Sequence, residues 1–160
     1  MNGLTTDLSV FLEKELEQLK ADIIARHESA GQVATGRTRD SFSVRMVSST
    51  SGVLEGAAYA GALERGRGPL KNREESDFLE RLKEWIVARG LDYGGNTKGL
   101  ERLAKFLRWW INKNGTKIFR TGRHVDIFTT PMENLSDRIS EQIGVLYSNE
   151  ISNDLYNYAR

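Results

Sequence analysis

Leu8, Leu12, Leu16, Leu19 and Ile23 are spaced 4, 4, 3 and 4 residues apart, a repeat that a helix brings to one side. The other end of the chain repeats the device with Leu135, Ile139, Ile143, Leu146 or Tyr147, Ile151 and Leu155. Two long one-sided helices therefore frame the chain, and each needs a core to lie against. The first is expected from about Thr6 to His27. Thr5 or Thr6 can cap it, Asp7 suits the positive end of its dipole, and Gly31 lies just past its end. The last opens at Thr130-Pro131-Met132-Glu133, which offers a capping Thr, a Pro at the first helical position and a Glu three residues on. It is expected to run nearly to the C-terminus.

Between these helices the period changes. Phe42, Val44 and Met46 alternate with Ser43 and Arg45, the pattern of a half-buried strand. Ser49-Thr50-Ser51-Gly52 then predicts a turn, and Val53 to Tyr59 a second strand, which together make an antiparallel hairpin. Gly56 within it suggests a bulge or a close backbone approach. Thr35 is placed to cap a single helical turn before the hairpin. A short helical turn, Ala60 to Glu64, follows it, and then the Gly- and Arg-rich loop Arg65-Gly66-Arg67-Gly68-Pro69.

Two middle helices come next. One is expected over Ser76 to Ala88, capped by Ser76, with Phe78, Leu79, Leu82, Trp85 and Ile86 as its buried stripe and Gly90 as its stop. The other spans about Gly99 to Asn112, with Leu100, Leu103, Leu107 and Trp110 or Ile111 inward and Arg102, Lys105 and Arg108 outward. A small hairpin is expected around Thr121-Gly122-Arg123, flanked by Ile118-Phe119 and Val125–Ile127. The reading is α+β: a long N-terminal helix, a small antiparallel β-hairpin, two middle helices and a long C-terminal helix in a single domain, residues 1–160.

Composition narrows the chemistry. The chain has no Cys, so disulfide scaffolds, Cys-based zinc sites, thiol nucleophiles and iron–sulfur clusters are excluded. No apolar run approaches a membrane span, and the start carries no secretory pattern, so the protein is expected to begin in the cytoplasm that makes it, with no membrane partner. Its two His, His27 and His124, are not in a metal-binding pair spacing, and His27 is expected in a surface or dipole-facing role. His124 with Asp126 is the one candidate for a small hydrolase, and the pairs Glu13/Glu17 and Glu80/Glu84 read as solvated helix faces. No phosphate-binding loop occurs. No catalytic residue, cofactor or metal is expected, and the chain reads as a non-enzyme.

Charge carries more information. Net charge is +1 overall, yet residues 99–125 hold seven Lys and Arg against one Glu, while residues 126–160 hold two Arg against six Asp and Glu. A molecule with one basic and one acidic face suits head-to-tail packing with copies of itself, or a polyanion. Lys105, Arg108, Lys113, Lys117, Arg120 and Arg123 share the basic stretch with Trp109, Trp110 and Phe119. These six cations are the residues expected to face DNA, and a nucleic-acid-binding module is the alternative function. Trp85 and Trp110, on apolar stripes, are expected in the core.

Thr35-Gly36-Arg37-Thr38-Arg39-Asp40-Ser41-Phe42 leading into a strand, followed after the hairpin by Ala58-Tyr59-Ala60-Gly61-Ala62-Leu63-Glu64-Arg65-Gly66, resembles the bacteriophage tail-completion proteins, also called neck or head–tail connector proteins. Their pattern is Thr-Gly-x-Leu-x-x-Ser opening a strand, and later a Tyr with Glu-x-Gly a few residues on. Gly115-Thr116-Lys117-Ile118-Phe119-Arg120, then Asp126-Ile127-Phe128 and a long terminal helix, is similar to the end of the subgroup carried by phages and prophages of Bacteroides-type hosts. The likeness covers about residues 30–155. Thr38 stands where Leu is usual, and residues 65–77 look like a local elaboration.

This resemblance implies a structural virion protein that assembles as a homo-oligomeric ring in the neck, between the portal with its adaptor and the tail. Its partners would be copies of itself and those neighbouring rings, with transient, sequence-independent contact to passing DNA. Arg37, Arg39, Tyr59, Glu64, Arg65 and Arg67 are then expected at subunit or neck interfaces, since motif residues in loops more often serve contacts than cores.

Overall fold

The computed structural model describes residues 2–70 and 77–158, with the side chains of 8–70, 77–152 and 155–158. The order is α1 (Asn2–Ser29), α2 (Arg37–Asp40), β1 (Ser43–Ser48), β2 (Ser51–Glu55), α3 (Ala62–Arg65), α4 (Phe78–Ala88), α5 (Thr97–Asn114), α6 (Lys117–Thr121) and α7 (Thr129–Tyr158). Helices dominate around a two-stranded antiparallel sheet, an α+β arrangement with long helices at both ends. The chain divides into two compact units. One holds residues 1–24, 43–55 and 128–160, and the other residues 25–42 and 56–127.

In the first unit, Leu19 and Ile23 are buried on α1 and Pro131 is fully buried in the first turn of α7. The α1 stripe also carries Glu15, four residues before Leu19. It is buried and receives a 2.5 Å hydrogen bond from Arg138 Nε of α7. Charges taken from water need such pairing, because an isolated buried ion costs several kcal/mol. The hairpin pairs Ser43 with Glu55, Val44 with Leu54 and Arg45 with Val53, so Val44, Met46 and Leu54 share the more covered face. Its register slips between Met46 and Ser48, which puts the bulge at Val47 rather than at Gly56.

The long helices start earlier than their capping residues suggest. The first begins at Asn2, so Thr5, Thr6 and Asp7 fall inside it rather than at its cap. The last begins at Thr129, one residue before the Thr of the capping motif.

The second unit is built on α4 and α5. Leu82, Ile86 and Ala104 are its buried centre, with Phe78, Leu79, Leu100, Leu103, Leu107 and Ile111 packed against them. Fully burying a side chain such as Ile86 contributes about 1.5–3 kcal/mol, so this pair of helices supplies much of the unit's stability. Asp77 is the N-cap residue of α4; the Ser76 expected there lies outside the described residues. The N-cap of α5 is Asn96, whose side chain accepts from Gly99 N at 2.9 Å. The turn before β1 forms as α2, but Gly36, at φ 74°, occupies its N-cap in place of Thr35.

Three sequence expectations change here. The second strand stops at Glu55, and Gly56 instead lets the Phe42 ring approach: an added Cβ would lie 2.7 Å from it. The hairpin expected around Thr121–Arg123 is replaced by α6, a short helix ended by Gly122. Val125, expected to pair across that hairpin, donates its N–H to Glu64 O at the end of α3, which leaves no strand partner for Ile118-Phe119. Trp85 and Trp110 are both more than a third exposed, because each sits at the edge of its stripe, where the partner helix does not reach.

Candidate interaction surfaces

The Arg- and Gly-rich loop is fixed from below by α5 and α6. Thr116 Oγ1 accepts from Arg67 N at 2.9 Å, and Thr116 N donates to Arg67 O at 2.8 Å. The Arg67 guanidinium donates to Asn112 Oδ1 at 2.6 Å and lies 4.2 Å from the centre of the Phe78 ring. Gly66, at φ 76°, passes so close to α6 that an added Cβ would sit 2.4 Å from Phe119 N. Arg67, half-buried, is thus tied to its own unit, and Glu64 is buried there with 8 % of its surface exposed.

The remaining motif residues stay at the surface. Arg37 pairs with Glu84 at 2.7 Å, and Arg39 bridges Asp40 at 2.8 Å and Glu28 at 3.6 Å, partners that hold its guanidinium above its ordinary pKa. The Tyr59 hydroxyl lies 3.4 Å from Thr38 Oγ1, with the Arg81 guanidinium over its ring. Arg65 is exposed. Thr38 lines a pocket.

That pocket, about 650 Å³, is enclosed by the turn before α2 and by α3, α4, α5 and α6. Leu63, Leu107, Ile111 and Ile118 make it largely apolar; Arg89, Lys117 and Arg120 make its charged lining basic. His27, from the last turns of α1, also lines it. Of the surface and dipole-facing roles expected of it, burial removes the first: His27, in the last turn of α1, is 2 % exposed, and neither ring nitrogen has a hydrogen-bond partner. Burial pushes the imidazole below its ordinary pKa, with Glu28 opposing in part. The signal was in the spacing: Glu15, Leu19, Ile23 and His27 follow at intervals of four, so the buried stripe continues through the histidine.

A second surface lies on the outer side of α5. Phe106, Trp109 and Trp110 are 38–54 % exposed and form a cluster with ring centres 6.1–6.3 Å apart. Lys113 stands 5.1 Å over the Trp109 ring and Arg120 5.7 Å over that of Trp110. Lys105, Arg108 and Lys113 line a groove of about 770 Å³ beside Trp109, although Lys105 is paired with Glu101 at 2.7 Å, which holds that carboxyl below its ordinary pKa. Lys117 and Arg123 are exposed. Five of the six cations expected to face DNA thus surround this cluster or the neighbouring pocket; Arg123 is in neither lining.

The distal half of α7 is a third uncovered surface. Tyr147, Ile151 and Leu155, at intervals of four on one face, are 58–66 % exposed.

The hydrolase pair finds Asp126 held by Arg26 at 2.6 Å, with His124 exposed. Glu17 pairs with Lys20, Glu80 with Lys83 and Glu84 with Arg37. Among the described residues no group of three or more His, Asp or Glu could hold a metal ion, and no helix is long and apolar enough to cross a membrane. No protein-family model, curated protein or solved structure matches the chain.

Proposed function

We propose that the chain is a structural subunit of a bacteriophage neck, part of a ring between the portal with its adaptor and the tail, through which DNA passes. The observation that carries this reading is a pair of unlike uncovered surfaces. One is aromatic and apolar with cations around it, on α5 and α6. The other is an apolar stripe on distal α7, a helix with five carboxylates and one arginine. Contiguous exposed apolar side chains rimmed by charge suit contact with another surface. Two surfaces that differ in charge and shape suit each other better than themselves, and repeated heterologous contact closes into a ring where its rotation closes. The motif resemblance supplies the particle in which such a ring would work.

In a phage lacking the chain, filled heads and unattached tails should accumulate, and wild-type chain supplied in trans should restore joined particles, as read by electron microscopy. Joined, infectious particles made without it would contradict the reading.

A second reading, a module that binds single-stranded nucleic acid, is favoured by the cations standing over Trp109 and Trp110. Bases stack on such rings while the cations meet phosphates. That reading requires affinity for oligonucleotides at physiological salt, measured by fluorescence anisotropy, whereas a ring subunit that DNA only passes needs none.

A further inference from the structure

We infer that the pocket lined by His27 is the seat of the distal α7 helix of a second copy of the chain, so that each copy offers a pocket to one neighbour and a helix to the other. This rests on the ring reading and names the contact that would build the ring.

Two observations converge on this occupant. The pocket is concave and mainly apolar, with Leu63, Leu107, Ile111 and Ile118 in its walls, and it is large enough for several side chains. An amphipathic helix fills such a groove with residues at intervals of three and four, and Tyr147, Ile151 and Leu155 present that pattern to solvent. Charge agrees. The pocket lining contains Arg89, Lys117 and Arg120, while the stretch of α7 that bears the stripe, residues 147–155, has Glu150 and Asp154 and no Lys or Arg.

The contact is heterologous, so it generates rings when its rotation closes.

The absence of Cys from the sequence makes cross-linking clean. One preparation carries Leu155→Cys and a second Thr35→Cys, an exposed position on the pocket rim; both are mixed and treated with a short bismaleimide. The mixture should give about tenfold more cross-linked heterodimer than a control in which Val47→Cys replaces Thr35→Cys, because docking raises the local thiol concentration. Adding Ile151→Glu to the Leu155→Cys chain should return the yield to the control. Native mass spectrometry of full-length chain without introduced cysteines should show oligomers that Ile151→Glu disperses.

A yield equal to the control overturns the docking. So does a double-cysteine chain that cross-links only within itself, which would mean that each copy covers its own pocket. Either result leaves the ring reading standing if the chain is still found in particles. Absence from particles removes the ring reading, whatever the cross-link shows.

Discussion

His27 is a residue whose burial costs the fold stability. In the isolated chain its unpaired nitrogens are a cost, so His27→Leu should stabilise by about 1 kcal/mol in denaturant titration. The sign of its pH dependence follows from burial. The unfolded imidazole takes up its proton near 6.5 and the folded one only at lower pH, so between those values the unfolded state holds more protons. Stability should be full above pH 6.5 and fall as the pH drops below it, and His27→Leu should flatten that fall relative to wild type. An identical slope in both proteins would show that other groups carry it. Gly66→Ala is the complementary case. Its positive φ and the 2.4 Å approach to Phe119 N leave no room for a methyl, so thermal unfolding should show a clear loss of stability. Gly66 was visible in the sequence as part of a Gly-rich loop. What it packs against was not, because Thr116 and Phe119 lie some fifty residues away.

Elements were legible where a single periodicity ran long enough to be decided locally. The stripes of α1, α4, α5 and α7 are properties of ten or more neighbouring residues and the alternation of β1 of five, and the structure follows them. The segment 113–128 was not legible, because its conformation is set by distant partners: Arg67 takes the Thr116 hydroxyl and Glu64 takes the Val125 N–H, so the expected hairpin gives way to α6. Stripe edges misled for a related reason. Trp85 and Trp110 fall at helical spacing with core leucines, yet nothing packs over a large part of either ring. Ile86, at the fully buried contact of α4 with α5, should by contrast cost about 2–5 kcal/mol on truncation to Ala, read by chemical denaturation. On the outer face of α5, any affinity for oligonucleotides should lose about one unit of salt slope for each of Arg108 and Lys113 changed to Glu. An unchanged slope would place the nucleic acid elsewhere.

At the scale of the whole molecule, the charge asymmetry read from the sequence becomes a division of labour between surfaces. The cations of residues 99–125 gather around aromatic and apolar surface on α5 and α6, and the carboxylates of residues 126–160 lie mostly on a helix whose distal apolar face is uncovered. Neither surface suits self-pairing, and together they suit a head-to-tail series of copies. The motif residues divide accordingly: Arg67 and Glu64 are bound into their own unit, while Arg65 is exposed. Arg65→Glu should leave the fold unchanged by circular dichroism and lower the yield of joined particles. The most direct test of the central claim is peptide mass spectrometry on gradient-purified phage particles, with copy number scaled to the portal. A neck ring subunit should be present at several copies per particle in a fixed ratio to the portal. Its absence from clean particles, with the protein confined to the infected-cell lysate, would contradict that claim.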